Sequence, residues 1–370
     1  MALRILAVEP YYGGSHRAFL QGYRRHSRHE LQFLTMPARK WKWRMRGAAV
    51  TLAPEVRRRA GGFDLLLASD FLDLACLAGL APDVLHDVPR VAYFHENQIT
   101  YPLPDEAERD YQFAFTNITS CLAADRVIFN SDYHRRSFLD GAARLLSKMP
   151  DCVPEDAPDA IRSRSEVVHV GVDLSTIDEV RPDAEPPDGP LRIVWNHRWE
   201  YDKDPDTLFD VILRLHESGQ EFRLSVLGES FGRRPPVFDE ARKALAERLD
   251  RFGYVESRAE YCRALVEADV AVSTARQEFF GISAVEAAYA GCAPLLPDRL
   301  SYPELLPKES HPTCLYADPD DLLRRLTEWT RHPGEARRID LANHMSRFGW
   351  DRIAPLLDEA IERAAGGRNA

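Results

Sequence analysis

The stretch VWNHRWEYDKDPDTLFDVI, residues 194–212, passes from an apolar strand through a polar loop into an amphipathic helix. Asp204-Pro205 marks the start of that helix, since Asp suits the cap and the fixed φ of proline suits the first helical position. A buried strand feeding a helix is half of a βαβ unit, and the same alternation runs in both directions from here. Upstream lie RILAVE, DLLLAS at 64–69, RVAYFH at 90–95, RVIFNS at 126–131 and EVVHVGV at 166–172. The pattern restarts with LRIVWNHR and continues through RLSVLGE at 223–229, DVAVSTA at 269–275 and APLLP at 293–297. Short apolar runs separated by helical patterns read as strands of parallel sheets, buried on both faces.

A chain of 370 residues suits two domains of roughly 150–190 residues each. RPDAEPPDGP at 181–190 has the composition of a linker. The expected organisation is therefore an α/β protein of two doubly wound, Rossmann-like domains, 1–180 and 191–345, joined by 181–190. A C-terminal helix over 346–370 is expected to pack back towards the first domain. Ligands of open α/β sheets bind outside the carboxyl ends of the strands, so two such domains are expected to share a cleft there.

Composition excludes several classes. No run approaches the roughly 20 apolar residues that span a bilayer, and MALRILAVEP reads as a first strand rather than a signal peptide, so a cytoplasmic location is expected. The six cysteines are scattered, with no Cys/His spacing suited to zinc. Neither domain carries G-x-G-x-x-G after its first strand, which weakens a nicotinamide-dehydrogenase reading, and nothing positive supports a Ser/His/Asp hydrolase. Residues 1–59 hold thirteen Lys or Arg against three Glu and no Asp, although the whole chain has a formal charge of −10. This asymmetry, centred on ARKWKWRMR at 38–46, marks a surface for a polyanion, either nucleic acid or an acidic membrane face.

Polar residues gather just past the strand ends. In the opening stretch, His197, Arg198, Glu200 and Lys203 form a loop in which a planar guanidinium and an ammonium suit a diphosphate, or else a solvated charged loop. RQEFFGISAVEAAYAG, 276–291, follows another strand. Its Gly281 allows a tight approach, a helix begins near Ile282, and Gly291 caps it. The free N–H groups of that helix start favour an anion, while Glu278 and Glu286 are placed to accept hydrogen bonds from sugar hydroxyls. The competing reading makes Ser283 and Glu286 a capping box and Glu278 a solvated loop residue. In the first half, Gly13-Gly14 after strand one lets backbone come close to a phosphate or sugar, or else is a plain tight turn. His95, Glu96 and Asn97 after RVAYF, and Asn130, Ser131 and His134 after RVIF, fit a ligand cleft better than packing.

The pairing of Arg198 and Lys203 with Glu278-Phe279-Phe280-Gly281 and Glu286 resembles the nucleotide-sugar site of retaining GT-B glycosyltransferases of family 4. The run YYGGSH, PARKWKWR, YFHENQ.TYP, FNS, HRWEYDKDP, VLGES, FGYV, EFFG and SYPELLP resembles the tRNA-queuosine α-mannosyltransferases along the whole chain. The resemblance implies a GT-B fold and transfer of mannose from GDP-mannose, as co-substrate rather than cofactor, to the cyclopentene-diol of queuosine in the anticodon of aspartate tRNA. By the same resemblance no metal is expected, because the basic pair and helix termini replace it. It implies that Arg198 and Lys203 neutralise the diphosphate, Glu278 holds donor-sugar hydroxyls, Glu286 holds the ribose and His95 lies by the sugar. Gly13, Gly14, His197, Gly228, Glu229, Phe279, Phe280, Gly281 and Ile282 would line the donor, with Tyr254 near the base. His16, Glu96, Asn97, Tyr101, Asn130 and Ser131 would face the acceptor. Arg39, Lys40, Lys42 and Arg44 would track tRNA phosphates, and Trp41 or Trp43 would stack on an anticodon-loop base. The alternative packs Trp41 and Trp43 on the core as one face of a strand or loop. Two rivals remain at this point: a GT-B enzyme acting on another nucleoside, a lipid or a polysaccharide, and a non-enzymatic RNA-binding protein on a decayed GT-B fold. The oligomeric state is not legible.

Overall fold

The computed structural model describes residues 2–103, 110–182, 189–230 and 235–366. The chain divides into two compact units, Met1–Gly171 with Trp350–Ala370 and Val172–Gly349. The second unit starts ahead of the expected 181–190 linker, whose residues 183–188 lie outside the described residues.

The first unit holds β1 (Arg4–Tyr12), β2 (Glu30–Pro37), β3 (Leu65–Ser69), β4 (Arg90–Phe94), β5 (Arg126–Phe129) and β6 (Ser165–Val167), all parallel, in the order β2-β1-β3-β4-β5-β6. The second holds β7 (Leu191–Asn196), β8 (Phe222–Leu227), β9 (Leu249–Gly253), β10 (Val270–Val272), β11 (Ala293–Pro297) and β12 (Leu315–Tyr316), also parallel, in the order β12-β11-β10-β7-β8-β9. The apolar runs become strands because helices cover both faces of each sheet; all of Leu65–Ser69 is buried. Trp195, Phe209, Phe222 and Phe238 fill the second core, each burial contributing about 1.5–3 kcal/mol.

Strand order decides where ligands meet each sheet. Order reverses between β1 and β3 in the first unit and between β7 and β10 in the second, so the loops leaving those strands diverge and open a crevice. The helices that matter below are α1 (Gly14–His26), α2 (Trp41–Arg58), α3 (Tyr111–Ala123), α4 (Asp132–Leu146), α5 (Pro205–Glu217), α6 (Arg258–Val266), α7 (Ile282–Ala290) and α8 (Trp350–Gly366). α8 belongs to the first unit, where Tyr23 Oη donates to Asp358 at 2.6 Å.

One alternative reading fails here. The basic stretch is neither strand nor loop: Lys40 takes left-handed φ of 56° and the chain then enters α2 at Trp41. Trp41 lies with its ring 5.3 Å from Phe113, whereas Trp43 is 60% exposed. The Trp43 ring lies over Gly47, one helical turn on, where a Cβ would come within 2.9 Å of it. The alternation of Trp and basic residues along the sequence therefore says nothing about faces, because helical geometry separates neighbours by about 100°.

Candidate functional site

At the switch point of the second unit the loops after β7 and β10 are tied together by backbone. The N–H groups of Arg276 and Gln277 donate to the Asp202 carbonyl at 2.8 and 3.2 Å, and Thr274 Oγ1 donates to the carbonyls of Lys203 and Asp204 at 2.9 and 3.0 Å. Asp204, at φ 50°, caps α5 by accepting from Thr207 N–H and also pairs with Arg276 at 2.8 Å. The backbone sustains this left-handed residue because Asp is among the side chains that tolerate it.

This clamp buries Lys203. Its ammonium donates to the Gln277 carbonyl at 2.8 Å and to Glu278 at 3.2 Å, and it lies 3.3 Å from Asp202. Burial works against the charge, but Glu278 and Asp202 outweigh it, so the Lys203 pKa is raised and the ammonium persists. Glu278 is thus an ion-pair partner and not a solvated loop residue. Arg198 is more open and lies 3.3 Å from Glu200 and 3.7 Å from Asp202. Buried His197, beside Lys203 and Arg198, has its pKa held well below the usual value by burial first and those cations second; a neutral imidazole faces the Ser283 hydroxyl at 3.3 Å.

α7 begins after Gly281, which sits at φ 109°, with no side chain capping its first turn, and ends at Gly291 with φ 110°. Ser283 is inside the helix, so the Ser283–Glu286 capping box does not form. Glu286 is instead buried, 2.7 Å from Arg258 and accepting from Tyr261 Oη at 2.9 Å. Phe279 and Phe280 are core residues, Phe280 meeting Phe348 edge to face at 5.3 Å. Gly228 lies so near the His197 carbonyl that a Cβ would come within 1.8 Å of that oxygen, so only glycine fits after β8. Glu229 is exposed and takes the Trp199 N–H on its carbonyl at 2.9 Å, and Tyr254 is 60% exposed.

The switch point of the first unit is filled differently. Glu9, the one carboxylate inside β1, is 1% exposed and accepts from Tyr11 N–H at 2.8 Å, Ser69 Oγ at 3.0 Å and His16 Nδ1 at 2.9 Å. Burial lowers the His16 pKa, but Glu9, with Asp70 and Glu96, overcomes it and lifts it to about 9. Burial raises Asp70, which accepts the His95 backbone N–H at 2.9 Å. His95 lies 4.2 Å from the His16 ring and is pushed well below its usual pKa by burial, then by His16 and His134. Among the described residues, Glu9, His16 and His95 place ligand-type atoms within 4.8 Å of one another.

The remaining predicted residues of this unit serve the loops. Asn97 Oδ1 accepts from the N–H groups of Ile99 and Thr100, and Glu96 accepts from Gln98 at 3.0 Å. Asn130 Nδ2 donates to the His95 carbonyl at 2.9 Å, and Ser131 caps α4 through the His134 N–H. Tyr101 is half-buried, and Gly13-Gly14 lead into α1. Arg39, Lys40 and Lys42 are exposed, but Arg44 is buried, its Nε donating to the Pro37 carbonyl at 3.2 Å. Sequence reasoning missed Glu9, Asp70, Asp202, Tyr261 and Arg258. Only Glu9, a carboxylate within an apolar strand, announces itself.

Residues 4–172 match the family model described as tRNA-queuosine alpha-mannosyltransferase N-terminal, and residues 176–345 match glycosyl transferases group 1. The tRNA-queuosine alpha-mannosyltransferase of Drosophila melanogaster is 36% identical over 95% of this chain and 93% of its own. A GDP-mannose-dependent alpha-(1-6)-phosphatidylinositol dimannoside mannosyltransferase of Mycobacterium tuberculosis is 25% identical over 79% of this chain and 71% of its own. The sucrose-phosphate synthase of Thermosynechococcus elongatus superposes with a TM-score of 0.74 at 15% identity, covering 98% and 100% of the two chains. No helix among the described residues is long and apolar enough to cross a membrane.

Proposed function

The chain belongs to the tRNA-queuosine alpha-mannosyltransferase family and is a glycosyltransferase of the GT-B fold; from that premise we propose that it transfers mannose from GDP-mannose to the cyclopentene-diol of queuosine in the anticodon of aspartate tRNA, in the cytoplasm and with retention at the anomeric carbon. The observation that carries the donor half is a lysine kept charged while buried. Lys203 and Arg198, with the uncapped start of α7 just past Glu278, set positive charge where a departing diphosphate would develop its own. These groups do the work a metal would do in other transferases. Glu278 accepts hydrogen bonds from the mannose, Glu286 from the ribose, and neutral His95 offers a hydrogen bond without adding charge. Retention then needs no strong base, since the departing diphosphate takes the acceptor's proton on the same face.

The acceptor half rests on α2 and the loops of the first unit. Trp43 presents one ring face to solvent, with Arg39, Lys40 and Lys42 exposed around the same helix start, a combination suited to a stacked base flanked by phosphates. Trp41 and Arg44 support that helix from beneath. The test is to incubate the protein with radiolabelled GDP-mannose, GDP-glucose or UDP-glucose and tRNA from queuosine-positive and queuosine-negative cells. Label from GDP-mannose alone, in queuosine-positive aspartate tRNA alone, is the expected result. Equal labelling of both tRNA pools overturns the acceptor, and preference for another nucleotide sugar overturns the donor.

A further inference from the structure

Around Glu286 the hydrogen bonds run in one direction. Asn196 Nδ2 donates to the Ser283 carbonyl and to Tyr261 Oη, each at 3.0 Å. Turning the amide over would set its oxygen against that carbonyl, so the orientation is forced. Tyr261 Oη, already accepting, has its single proton left for Glu286 Oε2 at 2.9 Å. Burial first, and the Glu286 charge second, raise the Tyr261 pKa well above the usual phenol, so the proton stays. Arg258 reaches Glu286 Oε1 at 2.7 Å and anchors its own guanidinium on the Asp173 carbonyl at 3.0 Å. An ionised carboxylate has about four acceptor positions, two on each oxygen. Arg258 takes one on Oε1 and Tyr261 takes one on Oε2, which leaves one on each oxygen.

We propose that Tyr261 and Arg258 are positioning residues which hold Glu286 as an acceptor-only clamp for two neighbouring hydroxyls, so that the nucleotide site selects an intact ribose 2′,3′-diol over a deoxyribose. This rests on the reading that Glu286 faces the donor ribose. A diol donates two protons into the two remaining positions, whereas a 2′-deoxyribose fills only one of them and sets an apolar carbon against the other in a buried place. Sites built to bond a hydroxyl reject the analogue that lacks it far more strongly than apolar pockets reject a methylene.

The experiment compares kcat/KM for GDP-mannose and for its 2′-deoxyguanosine analogue in the parent, Tyr261→Phe, Arg258→Met and Glu286→Gln, with a thermal melt of each. Losing a hydrogen bond to a charged group should raise the Tyr261→Phe KM for GDP-mannose by about tenfold or more while kcat moves little. The ribose-to-deoxyribose ratio should fall towards that of Glu286→Gln, and Arg258→Met should shift it in the same direction if Tyr261→Phe folds poorly. A ratio in Glu286→Gln equal to the parent's overturns the ribose reading itself. If Glu286→Gln collapses the ratio while Tyr261→Phe and Arg258→Met keep the parent's, the ribose reading stands and the positioning role is wrong.

Discussion

Both units gather polar side chains at the reversal of strand order, but they stock that place with different chemistry. In the second unit Lys203 is buried among Asp202 and Glu278 and its ammonium is reinforced by them, with Arg198 alongside. In the first unit the same topological position holds Glu9, Asp70, His16 and His95; burial raises Asp70 to about 8, Glu9 outweighs burial to lift His16 to about 9, and burial holds His95 well below its usual value. A diphosphate keeps its charge where Asp70 and His16 titrate, so a site for it is best served by cations that do the same. A sugar or nucleoside diol is uncharged and asks only for donors and acceptors. The two crevices therefore differ as their proposed ligands differ, and each difference can be attacked separately.

The largest effect should come from the fixed cations. Arg198→Ala should lower turnover by about 10²-fold or more, the usual cost of removing a group that stabilises developing charge, with little change in melting temperature because the side chain is 45% exposed. Lys203→Ala should lower turnover at least as far and also destabilise the fold by about 3–5 kcal/mol, since Asp202, 1% exposed at its side chain, loses a buried partner. Turnover at saturating GDP-mannose and tRNA, beside thermal melts, separates the two consequences. Near-normal turnover in both variants would remove the diphosphate from this crevice.

Next in size is the pH response of the first unit. His16 titrates near 9 in the fold against 6.5 unfolded, so its stabilisation is complete below pH 6.5 and disappears as pH rises to about 9. Asp70, raised by burial above its usual 3.8, adds a loss of the same sign as pH rises. Glu9→Gln removes the carboxylate that holds His16 charged. The variant should be less stable at pH 6 by on the order of 2 kcal/mol and should lose less than the parent between pH 6.5 and 9. Melting curves across that range check it, and an unchanged slope would show that Glu9 does not govern His16.

How much of this was legible in the sequence follows from how local each signal is. The nine strands built on apolar runs, the Asp204 cap and the Gly281 and Gly291 bounds of α7 depend on residues adjacent in the chain, and they were readable. β2, β9 and β12, whose stretches ELQFLTMP, LDRFG and LY carry no long apolar run, were not. The polar clusters at the strand ends were readable too, because polar residues after apolar runs mark where strands stop. Glu286 was visible as a carboxylate in an apolar helix, but its partners Arg258 and Tyr261 sit on another helix whose own pattern is ordinary, so the capping box looked sufficient. Asp202 hid among neighbouring charges in EYDKDPD. ARKWKWRMR misled because bulky aromatic and basic residues carry no start signal, and the helix there opens after a left-handed lysine that no propensity anticipates.

That helix supplies the smaller effects and extends the contrast to the surface. Trp43→Ala should cost roughly 1–3 kcal/mol of tRNA affinity if its open face stacks on a base, and leave the melting temperature nearly alone. Trp41→Ala, which strips a ring from Phe113, should reverse that pattern and act on stability. Binding isotherms and melts of the two variants decide which tryptophan meets RNA; equal effects on both would dissolve the distinction drawn from their exposure.

The mildest change is expected from neutralising Arg39, Lys40 and Lys42 together. For every RNA phosphate that these side chains no longer neutralise, the slope of log K against log salt should flatten by about 0.7–0.9, with donor hydrolysis in the absence of tRNA unaffected. Arg44 is the internal control. It lies in the same basic run but is buried and commits its Nε to the Pro37 carbonyl, so Arg44→Gln should leave the salt slope unchanged and lower the melting temperature instead. A slope that responds to Arg44 but not to its exposed neighbours would mean that charge density along the sequence, and not exposure in the fold, had been mistaken for the RNA-binding surface.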